Sequence, residues 1–114
     1  MQTGSFINWA DFEKIEMRTG TITHAEVFKE ARKPAYKLTL DFGEYGTRRS
    51  SAQLTKLYSA EDLLGRQVIA VLNFPRKQIA NFFSECLVLG IVGDENTITL
   101  LSPERSVPNG LRVG

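Results

Sequence analysis

The residues best equipped for chemistry lie in one connector, Asn73-Phe74-Pro75-Arg76-Lys77-Gln78-Ile79-Ala80-Asn81-Phe82-Phe83-Ser84-Glu85, set between the apolar runs 68–72 and 86–92. It carries three phenylalanines and two adjacent cations where a connector is ordinarily polar. Pro75 fixes its own φ and supplies no backbone donor, so strand pairing should stop near Phe74 and leave Arg76 and Lys77 displayed. Cations beside aromatic faces suit loop or single-stranded nucleic acid, where phosphates meet charge and unstacked bases meet rings. The same residues also fit a surface loop whose phenylalanines anchor the core beneath two solvated cations.

Catalytic alternatives fail on residue supply. His24 is the only histidine and Cys86 the only cysteine, so neither a Ser-His or Cys-His dyad nor a metal cluster can be assembled. Carboxylate pairs and Gly-rich phosphate loops are likewise missing from the sequence, and the expectation is a binding protein with no enzyme activity, cofactor or metal. Cys86 sits in an apolar run, as a buried hydrophobe would, and a single cysteine excludes an intramolecular disulfide. The apolar stretches are far too short to span a membrane, and the N-terminus lacks a basic-then-apolar leader pattern. A cytoplasmic protein without membrane insertion is therefore expected.

The 114 residues, 42% of them hydrophobic and 24% charged, fit a single folded domain over 1–114 with a core that needs no staples. A formal net charge of +1 announces no polyanion ligand, but the charge is segregated. Between Lys29 and Lys56 there are seven basic residues (Lys29, Arg32, Lys33, Lys37, Arg48, Arg49, Lys56) and three acidic ones (Glu30, Asp41, Glu44). From Gly65 to Ser84 there are three basic residues and no acid. Such a chain can present a basic face while remaining nearly neutral overall.

Residues 1–7 show no periodicity and read as a flexible arm. Asn8 can cap an N-terminal helix over 8–16, whose Trp9, Phe12 and Ile15 recur every three residues. A helix this short cannot bury a tryptophan alone, so Trp9 and Phe12 need cover from the domain body or from a second copy of the chain. Residues 17–27 are rich in Thr and β-branched residues, and Gly20 suggests a bend or bulge in this first strand. Leu38, Leu40 and Phe42 alternate with Lys37, Thr39 and Asp41 in a half-buried second strand. After a turn at 43–46, the short basic stretch 47–53 reads as a third strand with one face on water or a polar ligand. Ser59 with Asp62 forms a capping pattern for a short helix that Gly65 can end. Runs 67–73 and 84–93 read as buried strands, residues 97–101 as a further strand, and 102–114 as an extended C-terminal tail.

Three short strands, one helix and two more strands match a five-stranded Greek-key barrel of the OB type, an all-β fold. Ligands of that fold lie across strands 2 and 3, under the loops joining strands 1 to 2 and 4 to 5. Here those loops are residues 28–35 and 74–83, the two most basic in the chain, and Arg48 and Arg49 lie on the strand between them.

Several separated motifs carry a family resemblance. They are Asp11-Phe12-Glu13-Lys14-Ile15-Glu16-Met17-Arg18-Thr19-Gly20-Thr21-Ile22, Lys33-Pro34-Ala35-Tyr36-Lys37-Leu38, Ser50-Ser51-Ala52-Gln53, Val71-Leu72-Asn73-Phe74-Pro75-Arg76-Lys77-Gln78-Ile79, Ser84-Glu85-Cys86-Leu87-Val88-Leu89, Leu101-Ser102-Pro103-Glu104 and Val107-Pro108-Asn109-Gly110. In this order they resemble the tRNA-binding domain family typified by CsaA, a domain similar to the C-terminal extension of some bacterial methionyl-tRNA synthetases. The resemblance implies an OB-fold homodimer that binds tRNA by structure without preference for one isoacceptor. It also implies an export-related chaperone activity toward unfolded or preprotein peptides, with an apolar site near the dimer interface. The sequence departs from relatives at Ile79-Ala80-Asn81-Phe82-Phe83, where they tend to place a small or basic residue, often Gly, before the Ser-Glu pair.

On this reading Arg18 lies at the edge of the binding face, and Lys33, Lys37, Arg48, Arg49, Arg76 and Lys77 contact phosphate. Ser50, Ser51, Gln53, Asn73, Asn81, Ser84 and Glu85 are candidates for hydrogen bonds to sugars or bases. Phe74 and Phe82 are candidates for base stacking. Trp9, Phe12 and Phe74 are the expected peptide or dimer contacts.

Overall fold

The computed structural model describes residues 5–114. The first part of the expected flexible arm, residues 1–4, lies outside the described residues, and residues 5–7 run as exposed coil. Asn8 then caps helix α1 (Trp9–Glu13) through a reciprocal box: its side chain accepts from the Asp11 N–H while the Asp11 carboxylate accepts from the Asn8 N–H. The helix stops short of the expected residue 16. The Asn73 amide, bound to the Lys14 carbonyl at 2.6 Å and to the Glu16 N–H at 2.9 Å, takes the backbone groups that another turn would use.

Nine strands follow: β1 (Met17–Val27), β2 (Tyr36–Asp41), β3 (Thr47–Ala52), β4 (Gln67–Val71), β5 (Lys77–Ile79), β6 (Phe82–Ser84), β7 (Leu87–Val88), β8 (Gly90–Val92) and β9 (Ile98–Leu100). Helix α2 (Ala60–Leu63) precedes β4, with Ser59 and Asp62 forming the expected cap. The main sheet has the order β3-β2-β1-β4-β7 with every pair antiparallel, and β5–β6 and β8–β9 are separate hairpins. The architecture is the expected all-β, OB-like barrel, nearly closed. Ile22, Leu38, Leu40, Phe42, Leu63 and Val68 are fully enclosed at its centre. Period-two spacing puts every second side chain of β2 inside, Ile22 and Val68 enter from β1 and β4, and Leu63 comes from α2.

One backbone bond and several side-chain bonds, rather than a regular ladder, close the seam between β3 and β7. The Glu85 N–H donates to the Arg49 carbonyl at 2.7 Å, and the Glu85 carboxylate accepts the Arg49 N–H at 3.0 Å. Ser84 Oγ accepts the Ser51 N–H at 3.3 Å, and buried Ser50 Oγ donates to the Cys86 carbonyl at 2.8 Å. The expected fifth strand over 84–93 is therefore interrupted, because Glu85 and Cys86 leave strand geometry to satisfy the edge of β3. The expected 74–83 loop contains the β5–β6 hairpin, whose turn holds Ala80 at φ 53.

Gly20 does not mark the bulge. The register shift in β1 falls between Ile22 and His24. Gly20 instead leaves room for Phe42, since a Cβ at position 20 would lie 2.4 Å from that ring. The C-terminal tail takes the edge of β1 beyond the end of β2: the Gly110 N–H donates to the Thr19 carbonyl, the Thr19 N–H to Leu111, and the Val113 N–H to Met17. Gly110 (φ 91) passes so close to the Phe42 carbonyl that a Cβ there would stand 2.6 Å from it. The tail thus continues the line of β2 and leaves β3 uncovered.

Candidate nucleic-acid interface

Strand alternation sorts the predicted site. Along β3, Arg48 and Ser50 turn inward while Arg49 and Ser51 turn outward, since neighbours in a strand face opposite sides. The connector between β1 and β2 and the β5–β6 hairpin rise on either side of the outward face. Between them lies an open groove of about 520 Å³. Arg32 and Lys33 line it from one loop, Lys77 and Gln78 from the hairpin, and Ser51 and Gln53 from β3 and its end. Glu30 is the one acid along it among the described residues.

Beneath one wall of the groove two buried rings hold cations in place. Phe28 and Phe82 meet edge to face with centroids 5.3 Å apart. The Lys37 ammonium lies 5.0 Å from the Phe28 centroid and 5.7 Å from that of Phe82, and the Arg49 guanidinium lies 4.4 Å from Phe82. A ring face attracts a cation through its quadrupole, so both heads are positioned without a carboxylate needing to hold them. Lys37 also reaches the Glu30 carboxylate at 3.8 Å. On the outer side of the hairpin, Arg76 lies 4.7 Å from the ring of half-exposed Phe83. Asn81 is exposed at the hairpin turn.

Of the predicted contacts, Lys33, Ser51, Gln53 and Lys77 come together in the groove, with Lys37 and Arg49 packed beside it. Seven others are committed elsewhere. Arg18 is held by Glu16 at 2.8 Å, by the Gly110 carbonyl and by the face of Tyr45 at 3.7 Å, on the side of the tail. Arg48 donates to the Leu72 carbonyl at 2.9 Å. Ser50, 1% exposed, is spent on Cys86, and Ser84 and Glu85 on the edge of β3. Asn73 has both amide atoms engaged by the α1–β1 link. Phe82 is 3% exposed and cannot stack on a base. Its neighbour Phe83 carries the accessible ring. Arg32, Gln78 and Glu30 also line the groove and are not among the predicted contacts, although Arg32 and Glu30 belong to the charged 28–35 loop that the sequence places on this face.

Phe74, 55% exposed, lines a separate pocket of about 390 Å³ with Pro75, Lys77, Ser84, Cys86 and Leu87. Burial pushes the Cys86 thiol up from its ordinary 9.0 to about 12, against weaker opposition from the Ser50 hydrogen bond and the charge of Arg48. At neutral pH it stays protonated and unreactive. His24 is exposed on the outward face, 3.7 Å from Glu26. Among the described residues no group of three His, Cys, Asp or Glu could hold a metal ion, and no helix is long and apolar enough to cross a membrane.

A second feature lies at the chain ends. Trp9 is 81% exposed and half-buried Phe12 stands beside it, and together with Ile7, Asn8 and Gly114 they line an apolar groove of about 570 Å³. Among the described residues nothing covers this tryptophan.

Comparison with known proteins agrees with the fold. The chaperone CsaA from Bacillus anthracis superposes with a TM-score of 0.92 at 51% identity, covering 96% of this chain and 100% of that one. The CsaA chaperone protein from Picrophilus torridus gives 0.89 at 46%, with the same coverage. Among curated relatives, the methionine–tRNA ligase of Methanococcoides burtonii is 35% identical over 104 residues. That match takes in 91% of this chain, which spans only 15% of the ligase. The family described as "Putative tRNA binding domain" matches residues 17–112. The chain belongs to this tRNA-binding domain family, in its CsaA-like branch.

Proposed function

We propose that the chain binds folded RNA of the tRNA class in the groove between the β1–β2 loop and the β5–β6 hairpin. It reads the phosphate backbone and ribose edges rather than a base sequence or one isoacceptor. The observation that carries this reading is the convergence of Arg32 and Lys33 with Lys77, from loops far apart in sequence, on one groove that the tail leaves open. Ser51, Gln53 and Gln78 supply neutral hydrogen bonds of the kind that ribose hydroxyls accept or donate. The rings under Lys37 and Arg49 are buried, so the wall offers charge without a stacking platform. Phe74 and Phe83 at the hairpin remain the rings a base could reach. A tRNA ligand also fits a cytoplasmic setting.

A second reading has its own support. The apolar groove at Trp9 and Phe12 suits either an apolar peptide, as expected of a CsaA-like chaperone, or a second copy of the chain in a two-fold dimer built from α1 and the tail. A titration of the chain with tRNA at several salt concentrations, repeated with an apolar peptide as competitor, separates the two. The expected result is binding that weakens linearly in log–log form with salt and is not displaced by the peptide. Salt-insensitive binding, or displacement by the peptide, would transfer the RNA site to the apolar end.

A further inference from the structure

Resting on the RNA-binding reading, we infer that Glu30 is a built-in stand-in for phosphate that holds down the affinity of this groove through Lys37. The Lys37 ammonium is held from below by the Phe28 and Phe82 rings, with its side chain only 20% exposed. The Glu30 carboxylate stands 3.8 Å from the same ammonium. Glu30 itself lines the groove that also holds Arg32, Lys33 and Lys77. The position that a phosphate oxygen would take against Lys37 is thus occupied by the chain's own anion. The Glu30 side chain is 52% exposed, and an ion pair so open to solvent is weak, so a phosphate can replace it.

The exchange has a cost that appears in the salt dependence. An incoming phosphate sheds its condensed counterion, but the displaced Glu30 carboxylate loses its partner and repels the new neighbour. Lys37 therefore contributes less than a full phosphate contact while Glu30 is ionised. Removing the charge should convert Lys37 into a full contact, and the gain should require Lys37.

The test titrates wild type, Glu30→Gln, Lys37→Ala and the double variant with a tRNA transcript from about 50 to 200 mM salt. Glu30→Gln should bind about 3- to 10-fold tighter near 0.1 M salt, with a log–log slope steeper by up to roughly 0.7–0.9, the limit set by one full phosphate contact. Most of that gain should vanish in the Lys37→Ala background, as residues acting through one another are non-additive. Glu30→Asp should keep the shallower wild-type slope, which a change in loop folding alone would not predict. Affinity and slope unchanged or reduced in Glu30→Gln, or a gain that persists in full without Lys37, would overturn the inference while wild-type binding leaves the RNA reading intact. A wild type that binds no tRNA would overturn both.

Discussion

Replacing Lys33 and Lys77 together by Ala is expected to lower tRNA affinity about 10- to 60-fold near 0.1 M salt and to flatten the log–log salt slope by roughly 1.4–1.8. The two ammonium groups line the groove from different elements, the β1–β2 loop and strand β5, and both are exposed. Among the described residues neither ammonium pairs with a carboxylate, so their loss removes phosphate contacts and counterion release without removing a structural tie. Thermal unfolding should move little, as surface substitutions away from packing usually change stability by less than about 0.5 kcal/mol. Arg48→Ala supplies the contrast. Its guanidinium satisfies the Leu72 carbonyl from the inner side of β3, so its loss should cost stability and leave the salt slope where it was. An unchanged slope in the double lysine variant, measured by fluorescence anisotropy, would remove the groove from the RNA contact.

Gly20→Val should be the most damaging single substitution in the barrel. A Cβ at this position would stand 2.4 Å from the Phe42 ring, and Phe42 is itself fully enclosed between β1, β2 and the tail. Neither partner can retreat. Val68 pairs with Gly20 across the β1–β4 ladder, and the backbone after Phe42 abuts Gly110. Overpacking of a closed core costs on the order of 3 kcal/mol where relaxation is blocked, which for a chain of this size lowers Tm by roughly 10–20 °C. A thermal melt followed by circular dichroism measures it. A Tm within a few degrees of wild type would mean that the Phe42 ring has room it does not show.

Much of the fold was legible in the sequence because its signals are local and periodic. Leu38, Leu40 and Phe42 announced their face by alternation, and Asn8 and Ser59 announced two helix starts by their spacing from Asp11 and Asp62. Which residues share one surface is harder to read, for a geometric reason. Nearness along the chain does not place residues on one side: strand neighbours such as Arg48 and Arg49 point to opposite sides, and so do Phe82 and Phe83 in the hairpin. Polar residues carried a second ambiguity. Asn73, Ser50, Ser84 and Glu85 have the donors and acceptors a ribose or base would use, and the fold uses them to end α1 and to close the β3–β7 seam. Which demand prevails depends on backbone groups left unpaired elsewhere, information that no short window of sequence contains. An acid within a basic run reads in the sequence as dilution of the charge, and only the distance of Glu30 to Lys37 gives it a role.

The central claim is that RNA docks on the groove flanked by Arg32, Lys33 and Lys77. Backbone amide chemical shifts of the isotope-labelled chain, recorded while tRNA is added, test it most directly. The account predicts the largest changes at residues 29–37, 49–53 and 76–83, with α1 and residues 107–114 nearly silent. Changes concentrated at Trp9, Phe12 and the tail, with Lys33 and Lys77 unmoved, would contradict it.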